Sequence, residues 1–494
     1  MQKLIAIIGA GIAGMATALR LSQKGFTVHV FEKNATAGGK MAELFRNDFR
    51  FDTGPSLLTF PELLVNLFNY CEEDLNKYIK LVRLGNICRY IYPDGTIVNA
   101  YSSPQMFAGE LSQKTGIEPG RVEHFLKENQ FLFDLTAHTF LFSPFQKMET
   151  FLTPEARNIG RNIHKLHFLQ KMHNRNYRIF RNNKVTQLFD RYATYNGSNP
   201  YKAPATLNMI AHLEHNIGAY LPEKGMYSIV EGMIRLAEKK QISIHFNSAV
   251  SKILIEKGKV KGIMVNKQFR KFDVIVDTCD INYSQKRLSV NSCKLKLLKP
   301  ELSMSALIFF WGIRGSYPQL DVHNILFSAN YRTEFNYLFK KFNIYSDPTI
   351  YIYISSKINP ADAPKKCENW FVMVNAPNNR GQDWKKIIER TREVIIRKIS
   401  KSLELNIESC IVSEDVLGPK SIESMTNSWK GALYGASSNS IFSAFSRHPN
   451  FSRKYKRLYY AGGTVHPGGG IPLCLASAKI VSDLVQKDIE NLSE

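Results

Sequence analysis

Residues 3–14 have the sequence KLIAIIGAGIAG, a short apolar run followed by closely spaced glycines. Five apolar residues, too few for a helix, lead into three glycines spaced G-x-G-x-x-G, and helix-forming residues follow to Leu21. A second short apolar run, from Phe26 to Phe31, ends at Glu32. The order strand, glycine turn, helix and strand predicts a β-α-β unit that binds a dinucleotide.

Each glycine has its own role in such a unit. Gly9 permits the tight turn, Gly11 lets the backbone approach a pyrophosphate, and Gly14 lets the helix lie close to the strand. The helix N-terminus offers unpaired N–H groups and a partial positive charge to the same pyrophosphate. Glu32 follows at the position where a carboxylate binds the hydroxyls of a free ribose. Glycines also mark ordinary turns, but here the flanking strands, helix and acid are all present.

Two further glycine-rich stretches favour FAD over NAD. The first, KNATAGGK at 33–40, directly follows Glu32. The second, LYYAGGTVHPGGGIP at 458–472, predicts a strand, a glycine-rich turn and a helix that begins at Pro472, since proline suits the first helical position. Such a helix start can hold a second polar region of a large cofactor, such as the edge of a flavin ring. The alternative is that residues 458–472 form a loop with only a structural role.

The composition is that of a large globular protein with a basic excess. The 494 residues can bury sizeable cores, and Lys and Arg number 65 against 43 Asp and Glu, a formal net charge of +22. This excess favours anionic surfaces, such as nucleic acid or acidic lipid. The seven cysteines are scattered without a C-x-x-C pair, which favours a reducing compartment and predicts neither a disulfide framework nor a metal site.

Residues 131–189, the basic-aromatic segment, differ most from the rest of the chain. Residues 131–151 contain six phenylalanines, namely Phe131, Phe133, Phe140, Phe142, Phe145 and Phe151. Basic residues follow, and Lys171, Arg175 and Arg178 have helical spacing. Aromatic residues beside a basic helix are typical of a monotopic anchor on anionic lipid. The alternatives are a solvated basic face and a nucleic-acid surface, and because no nucleic-acid motif is present we expect no nucleic-acid partner.

No stretch of the sequence predicts a signal peptide or a spanning helix. The apolar run after Lys3 has five residues and leads straight into the glycine turn, unlike a secretory signal. A spanning helix needs about twenty apolar residues, and the longest candidate, 304–313, is expected to be a buried strand. We therefore expect a peripheral protein on the cytoplasmic side of a membrane.

Strand and turn patterns divide the chain into alternating parts of two domains. The cofactor domain is expected from residues 1–75, 225–295 and 421–494, and the substrate domain, which carries the basic-aromatic segment, from residues 76–224 and 296–420. In the substrate domain, the turn at 93–96 predicts a hairpin, and the alternation at 349–354 predicts a half-buried sheet.

The order of these motifs along the chain resembles that of the bacterial carotenoid desaturases of the phytoene desaturase type. The motifs that carry the resemblance are GAGIAG at 9–14, Glu32, GGK at 38–40, DTGP at 52–55, RYATY at 191–195, Gly225 with Met226, and YAGGTVHPGGGIP at 460–472. Residues 189–204, FDRYATYNGSNPYKAP, are most similar to the branch of the family that acts on 1-hydroxycarotenoids at C-3,4.

The resemblance implies an α/β fold, with a Rossmann-type FAD-binding domain like that of glutathione reductase and the amine oxidases. This domain would be interleaved with an α+β substrate domain and a membrane-associating helical segment. A carotenoid would enter a tunnel from the membrane and lose a hydride to the flavin and a proton from the next carbon, with oxygen or a quinone as the final electron acceptor.

The resemblance also implies which residues contact the cofactor: Gly9, Gly11, Gly14, Glu32, Lys33, Gly39, Lys40, Gly54, Pro55, Val250, Gly463, Gly470, Ile471 and Pro472. No sequence motif indicates a catalytic acid or base. Arg191, Glu214 and His215 lie where the substrate domain returns to the cofactor domain, so each is a candidate to contact the flavin or take the proton. The alternative for each is a structural role.

Other functions share part of this pattern. A phytoene desaturase or a redox-neutral carotene isomerase would have nearly the same cofactor residues. A flavin amine oxidase shares the fold but favours a polar or aromatic cage over a long apolar tunnel. A non-enzymatic carrier of prenylated proteins can keep the fold without FAD, although the intact glycines and Glu32 argue against it.

Overall fold

The computed structural model describes residues 3–144, 146–288, 301–441, 443 and 447–491. Phe145 of the basic-aromatic segment, Cys293 and the end of the predicted segment 225–295 lie outside these described residues. The strands, in chain order, are β1 (Leu4–Ile8), β2 (Thr27–Phe31), β3 (Glu43–Arg46), β4 (Phe49–Asp52), β5 (Leu58–Thr59), β6 (Leu81–Arg83), β7 (Asn86–Ile91), β8 (Ile97–Tyr101), β9 (Ala219–Pro222), β10 (Ser243–His245), β11 (Val250–Glu256), β12 (Lys259–Val265), β13 (Gln268–Lys271), β14 (Val274–Asp277), β15 (Ser305–Arg314), β16 (His323–Leu326), β17 (Ile350–Tyr353), β18 (Cys367–Ala376), β19 (Ile411–Leu417) and β20 (Leu458–Tyr460). The α-helices are α1 (Ile12–Gln23), α2 (Glu62–Tyr70), α3 (Pro104–Thr115), α4 (Pro119–Leu141), α5 (Pro154–Arg161), α6 (Met172–Phe180), α7 (Asn183–Asp190), α8 (Met209–His212), α9 (Ser228–Lys239), α10 (Ile281–Lys286), α11 (Tyr331–Asn336), α12 (Trp384–Leu403), α13 (Pro419–Thr426) and α14 (Ile471–Glu490).

A five-stranded parallel sheet in the order β10-β2-β1-β14-β20 contains the predicted β-α-β unit. The unit is confirmed, because β1 leads into the glycine turn and α1 begins directly after Gly11. The N–H of Gly9 donates to the carbonyl of Phe31 at 2.8 Å, which joins the turn to the end of β2. The strands come from the three segments predicted to form the cofactor domain, and the domain boundaries themselves stay a prediction.

Alternate residues of β1 face two different cores. Ile5 and Ile7 pack with α1 and α14, whereas Ala6 and Ile8 pack with β11 and β12. The sheet is thus covered by helices on one face and by a second, antiparallel sheet of β11, β12 and β13 on the other. Burial on both faces explains why β1 is an unbroken apolar run rather than an alternating one.

A seven-stranded sheet in the order β19-β15-β18-β17-β16-β7-β8 combines strands from residues 76–224 and 296–420. The predicted hairpin is confirmed as the antiparallel pair β7 and β8. The buried strand predicted at 304–313 is also confirmed, as β15.

The prediction of a half-buried sheet at 349–354 was wrong, because this sheet is covered on both faces. Ile350 and Ile352 of β17 pack into the core beneath α12, while Tyr353 on the opposite face packs into the core of the cofactor side. The alternation of isoleucine and tyrosine therefore separates two interior faces of different chemistry rather than an interior face from a solvated one.

The described residues of the basic-aromatic segment fold as the end of α4, then α5, α6 and α7, with one short 3₁₀ turn before α5 and one after it. One predicted basic residue is not on its surface. Arg175 is buried, and its Nη2 donates to both carboxylate oxygens of Glu128 at 2.5 and 2.6 Å. The predicted basic stripe thus loses its middle member, while Lys171 and Arg178 stay exposed. Among the helices formed by described residues, none combines the length and hydropathy needed to cross a membrane.

Two Gly→Ala variants test the tight packing at the glycine turn directly. A Cβ added at Gly14 would lie 2.0 Å from the carbonyl oxygen of Gly9, whereas one at Gly109, also helical, meets nothing within 4 Å. We expect Gly14→Ala to destabilise the protein by about 3 kcal/mol through overpacking. We expect Gly109→Ala to stabilise it by up to about 1 kcal/mol through helix propensity. Thermal unfolding of both variants beside the wild type measures the contrast, and equal midpoints would contradict it.

Candidate active site

A cavity of about 960 Å³ begins at the carboxyl edge of the parallel sheet and extends to the basic-aromatic segment. This is near the upper end of the range for small-molecule sites, roughly 300–1,000 Å³. The turns after β1, β2, β14 and β20 all contribute to its wall. Ligands of open α/β sheets bind at this edge, where loops and helix N-termini converge.

Nearly all the predicted cofactor residues meet at this cavity. Its lining includes Gly9, Gly11, Glu32, Lys33, Gly39, Lys40, Gly54, Pro55, Val250, Gly463, Gly470, Ile471 and Pro472. Gly14 is not part of the lining and instead lies against the carbonyl oxygen of Gly9. That these residues contact the cofactor stays a prediction, which we tested for fit against their geometry.

Gly11 and Glu32 fit the pyrophosphate and ribose of a dinucleotide. A Cβ added at Gly11 would clash with no protein atom, since the nearest, the oxygen of Gly38, is at an ordinary contact distance of 3.8 Å, so a ligand can come close to this backbone. Glu32 is only 5% exposed, and its two carboxylate oxygens accept the N–H groups of Ala10 and Asn34, each at 2.9 Å. Each oxygen keeps a free lone pair for a ribose hydroxyl.

The second glycine-rich stretch also fits its predicted role. Helix α14 begins at Ile471, one residue earlier than predicted, so Pro472 occupies the second helical position. Gly470 caps the helix with a φ of +111°, a conformation that side chains rarely adopt. The N-termini of α1 and α14 thus border the same cavity, and each offers free N–H groups to anionic or carbonyl oxygens of a ligand.

Two lysines are fixed at the cavity wall by hydrogen bonds. Lys33 donates to the carbonyl of Ser424 at 2.9 Å and to Oδ1 of Asn427 at 3.1 Å, and Lys40 donates to the carbonyl of Leu433. Burial lowers the pKa of both ammonium groups. We call this part of the wall, formed by Gly11, Glu32, Lys33, Gly39 and Lys40 with the N-termini of α1 and α14, the cofactor cradle, and its N–H groups, carboxylate and lysines fit FAD.

Two of the three predicted catalytic residues reach the cavity. Arg191 and Glu214 line it, and Nη2 of Arg191 donates to Oε1 of Glu214 at 2.9 Å. The hydroxyls of Tyr192 and Tyr195 also donate to this carboxylate. Burial is the largest single effect and disfavours the charged carboxylate, but the charge of Arg191 and the hydrogen bonds from the two tyrosines, with His215, together outweigh it, so the pKa of Glu214 is lowered. A carboxylate with a lowered pKa and three donors is a weak base, as expected for an ion pair with a structural role.

His215 does not line the cavity. It lies behind the Arg191–Glu214 pair, stacked on Phe107 with ring centroids 4.3 Å apart, and its Nε2 lies 2.8 Å from the hydroxyl of Tyr192. Burial lowers its pKa to about 4, so it is neutral at physiological pH. This position matches the core alternative considered from the sequence.

Three polar residues of the lining had not been predicted. The hydroxyl oxygens of Ser56 and Tyr351 are 2.6 Å apart, and the hydroxyl of Tyr351 lies 2.8 Å from Nδ1 of His323. We call these three residues the polar chain. The tyrosine at an alternate position of an isoleucine-rich strand was a usable signal for Tyr351. The isolated His323 carried no sequence signal.

Away from the polar chain and the cradle, the cavity becomes an apolar arm. Its wall there includes Phe133, Phe140, Phe142, Ile159, Leu166 and Phe168, all from the basic-aromatic segment. Ile163 also lines the arm and is 51% exposed, so the arm reaches the surface at this segment. A long apolar molecule can therefore extend from the surface to the cradle.

A family model described as flavin containing amine oxidoreductase matches residues 12–486, and the chain belongs to this family. It is a flavin-dependent oxidoreductase, and FAD as the predicted cofactor is confirmed. Two solved structures share the fold: putrescine oxidase bound to putrescine, with a TM-score of 0.63, 12% identity and coverage of 100% of each chain, and an oxidoreductase from Methanosarcina mazei, with a TM-score of 0.63, 15% identity and coverage of 98% of this chain and 100% of that one.

Within the family, the chain is similar to carotenoid desaturases over its whole length. It is 43% identical over 490 residues to a 1-hydroxycarotenoid 3,4-desaturase from Flavobacterium sp. (strain P99-3), covering 98% of this chain and 99% of that protein. It is 30% identical over 508 residues to a 4,4'-diapophytoene desaturase (4,4'-diaponeurosporene-forming) from Staphylococcus haemolyticus (strain JCSC1435), covering 99% of each. The resemblance found in the sequence motifs is thereby confirmed.

Gly11→Val tests the position of the pyrophosphate. The branched side chain would fill the space beside Gly11, so we expect a folded protein that does not retain flavin. Gly85→Val is the matched control, because a Cβ at Gly85 meets nothing within 4 Å and Gly85 lies outside the cavity lining. Flavin absorbance per mole of purified protein measures the effect. Stoichiometric FAD in the Gly11 variant would refute the assignment.

Proposed function

We propose that this protein is an FAD-dependent carotenoid desaturase that introduces the C-3,4 double bond into a 1-hydroxylated carotenoid. The observation that carries the proposal is the continuous cavity, which joins a cofactor cradle to a long apolar arm. The full-length similarity to a 1-hydroxycarotenoid 3,4-desaturase supports the choice of substrate and bond.

The chemistry that bound FAD supplies is acceptance of a hydride from one CH₂ of the substrate, and loss of a proton from the neighbouring CH₂ completes the double bond. Gly11, Glu32 and the N-terminus of α14 would hold the cofactor in the cradle. Apolar residues of the arm, such as Phe133 and Phe142, would position the polyene and exclude water. The conjugated polyene stabilises positive charge that develops beside the reacting carbon, so a strong base is not required, in agreement with the paired state of Glu214.

A desaturase that acts on an unhydroxylated carotenoid is the second candidate. The 30% identity to a diapophytoene desaturase over nearly the whole chain supports it. Both candidates would use the same cradle and the same arm, and they differ in the carotenoid that they accept and in the bond that they oxidise.

We further propose that the basic-aromatic segment docks on the cytoplasmic face of an anionic membrane, with oxygen or a quinone as electron acceptor. Large apolar side chains of this segment stand in solvent, including Leu152 at 70% and Leu169 at 73% exposure. Cations accompany them, and Nζ of Lys165 lies 5.0 Å from the ring centre of Phe131. Apolar residues that enter the acyl boundary beside cations that meet headgroups are the features of an interfacial anchor. The arm opens at Ile163 within the same segment, so a lipid-soluble substrate would enter directly from the bilayer.

A pigment assay tests the reaction. The chain is expressed in cells that accumulate a 1-hydroxylated carotenoid and, separately, in cells that accumulate phytoene. We expect a red shift in absorption and the loss of two hydrogens only with the hydroxylated carotenoid, because one further conjugated double bond lengthens the chromophore. Conversion of phytoene alone would instead support the second candidate, and conversion of neither by flavin-loaded protein would refute both.

Liposome sedimentation tests the docking surface. We expect the double variant Leu152→Glu and Leu169→Glu to bind anionic vesicles at least about tenfold more weakly, because both apolar and electrostatic attraction are reduced. Phe45→Glu is the matched control, since Phe45 is 67% exposed but lies outside the segment. Arg175 is not a suitable test position because it is buried. Equal binding of the double variant and the wild type would contradict the proposed surface.

A further inference from the structure

The polar chain lies beside large apolar side chains in the cavity wall. Its neighbours in the lining include Ile325, two residues after His323 on β16, and Phe371, whose ring centre lies 6.2 Å from that of Tyr351. A hydrocarbon substrate makes no use of hydroxyl and imidazole groups at this position. Buried polar groups are costly unless they form hydrogen bonds, so their presence calls for a polar partner.

One atom of the polar chain lacks such a partner. His323 is 2% exposed, and its Nε2 is buried without a hydrogen bond, while its Nδ1 faces the hydroxyl of Tyr351. The imidazole is held in place by stacking on Tyr353, with ring centroids 5.0 Å apart. Because His323 belongs to the cavity lining and its Nε2 has no protein partner, a polar ligand group that reaches this ring from the cavity would satisfy it.

The chemistry of this position suits a neutral hydroxyl. Burial lowers the pKa of His323 to about 4, so the ring is neutral and Nε2 offers either one N–H or one lone pair. A hydroxyl can match either form, since it both donates and accepts. The charged groups nearby, Arg191 and Glu214, are bonded to each other, so this pair offers no net charge to an ionic ligand.

The polar chain also lies at the end of the cavity where the reaction would occur. Ser56 directly follows Gly54 and Pro55, which are predicted to contact the cofactor. In a 1-hydroxylated carotenoid, the hydroxyl-bearing carbon is two bonds from C-3. A group that binds this hydroxyl must therefore lie beside the cradle, as the polar chain does.

We propose, on the basis of the proposed function above, that the polar chain binds the C-1 hydroxyl of the carotenoid through Nε2 of His323 and thereby selects hydroxylated substrates. Tyr351 and Ser56 hold the imidazole in the orientation and tautomer that the contact requires. A site built to bond a hydroxyl discriminates strongly against the analogue that lacks it, because its own polar groups are then left unpaired.

The test compares flavin-loaded wild type with His323→Phe and Tyr351→Phe on two substrates, the 1-hydroxylated carotenoid and the same carotenoid without the hydroxyl. The readouts are kcat/KM for each substrate and its Kd, measured by quenching of protein fluorescence. We expect both variants to lower the ratio of the two kcat/KM values about tenfold to hundredfold, the loss of one buried hydrogen bond, with a matching change in the ratio of Kd values. Tyr351→Phe keeps the ring and removes only the hydroxyl, so it remains informative if the histidine variant does not retain flavin.

Tyr353→Phe is the matched control, because Tyr353 is on the same face of β17 and stacks on His323 but lies outside the cavity lining. Its substrate ratio should equal that of the wild type. A ratio within twofold of the wild type in both test variants would overturn the proposal, as would a wild type that converts both substrates equally well. If the wild type converts neither substrate, the proposed function itself has failed. Conversion of the hydroxylated carotenoid with unchanged ratios in the variants would refute only the hydroxyl contact.

Discussion

The cradle depends on two contacts so close that neither leaves room for a Cβ atom. Gly14 lies against the carbonyl of Gly9, where a Cβ would be 2.0 Å from the oxygen, and Gly54 lies against the carbonyl of Lys40, where it would be 1.9 Å away. The first contact sets α1 directly above the turn after β1, so that its N-terminus points at the cavity. The second brings the turn after β4 onto the loop that follows Glu32. Together these contacts define the space for the cofactor, since any larger residue at either position would push the walls apart.

The chain passes between the two sheets several times, and a few buried polar contacts keep these passes in register. Asp52, at the end of β4, accepts the N–H groups of Met226 and Tyr227 at 3.0 and 3.1 Å, which ties the start of α9 to a motif far earlier in the chain. Charge-assisted hydrogen bonds of this kind are stronger than neutral ones and are directional. The two motifs that resemble those of carotenoid desaturases, at 52–55 and at 225–226, are therefore parts of one structural junction.

Local patterns identified residues that the structure brings together in one cavity wall, because the structural demands on these residues are local. A tight turn, a close approach and a helix start each require a particular residue within a few positions, and the glycines, Glu32 and Pro472 supply them. The sequence predictions were wrong or incomplete where the position of a side chain depends on a partner far away in the sequence. Arg175 has the helical spacing of a surface cation, but it is buried because its guanidinium donates to the carboxylate of Glu128, 47 residues earlier in the sequence. Tyr351 is bonded to Ser56 across 295 residues, a pairing that no periodicity in either stretch indicates. Isoleucine and tyrosine do alternate along residues 349–354, but the tyrosine face packs against a second hydrophobic core and is not exposed to solvent.

The shape of the cavity affects which bond of a long substrate lies next to the cofactor. His323 is buried beside the cradle, while Ile163 is exposed at the other end of the arm. A linear molecule held at its inner terminus is oxidised at a bond fixed by the distance from that terminus to the cofactor, whatever the length of its remaining tail. Through the proposed contact with His323, the protein would work as a ruler that counts from the inner end of the substrate. Such a ruler tolerates variation in the half of the substrate that lies far from the cofactor. A change in the depth of the inner end of the cavity would move the new double bond along the substrate.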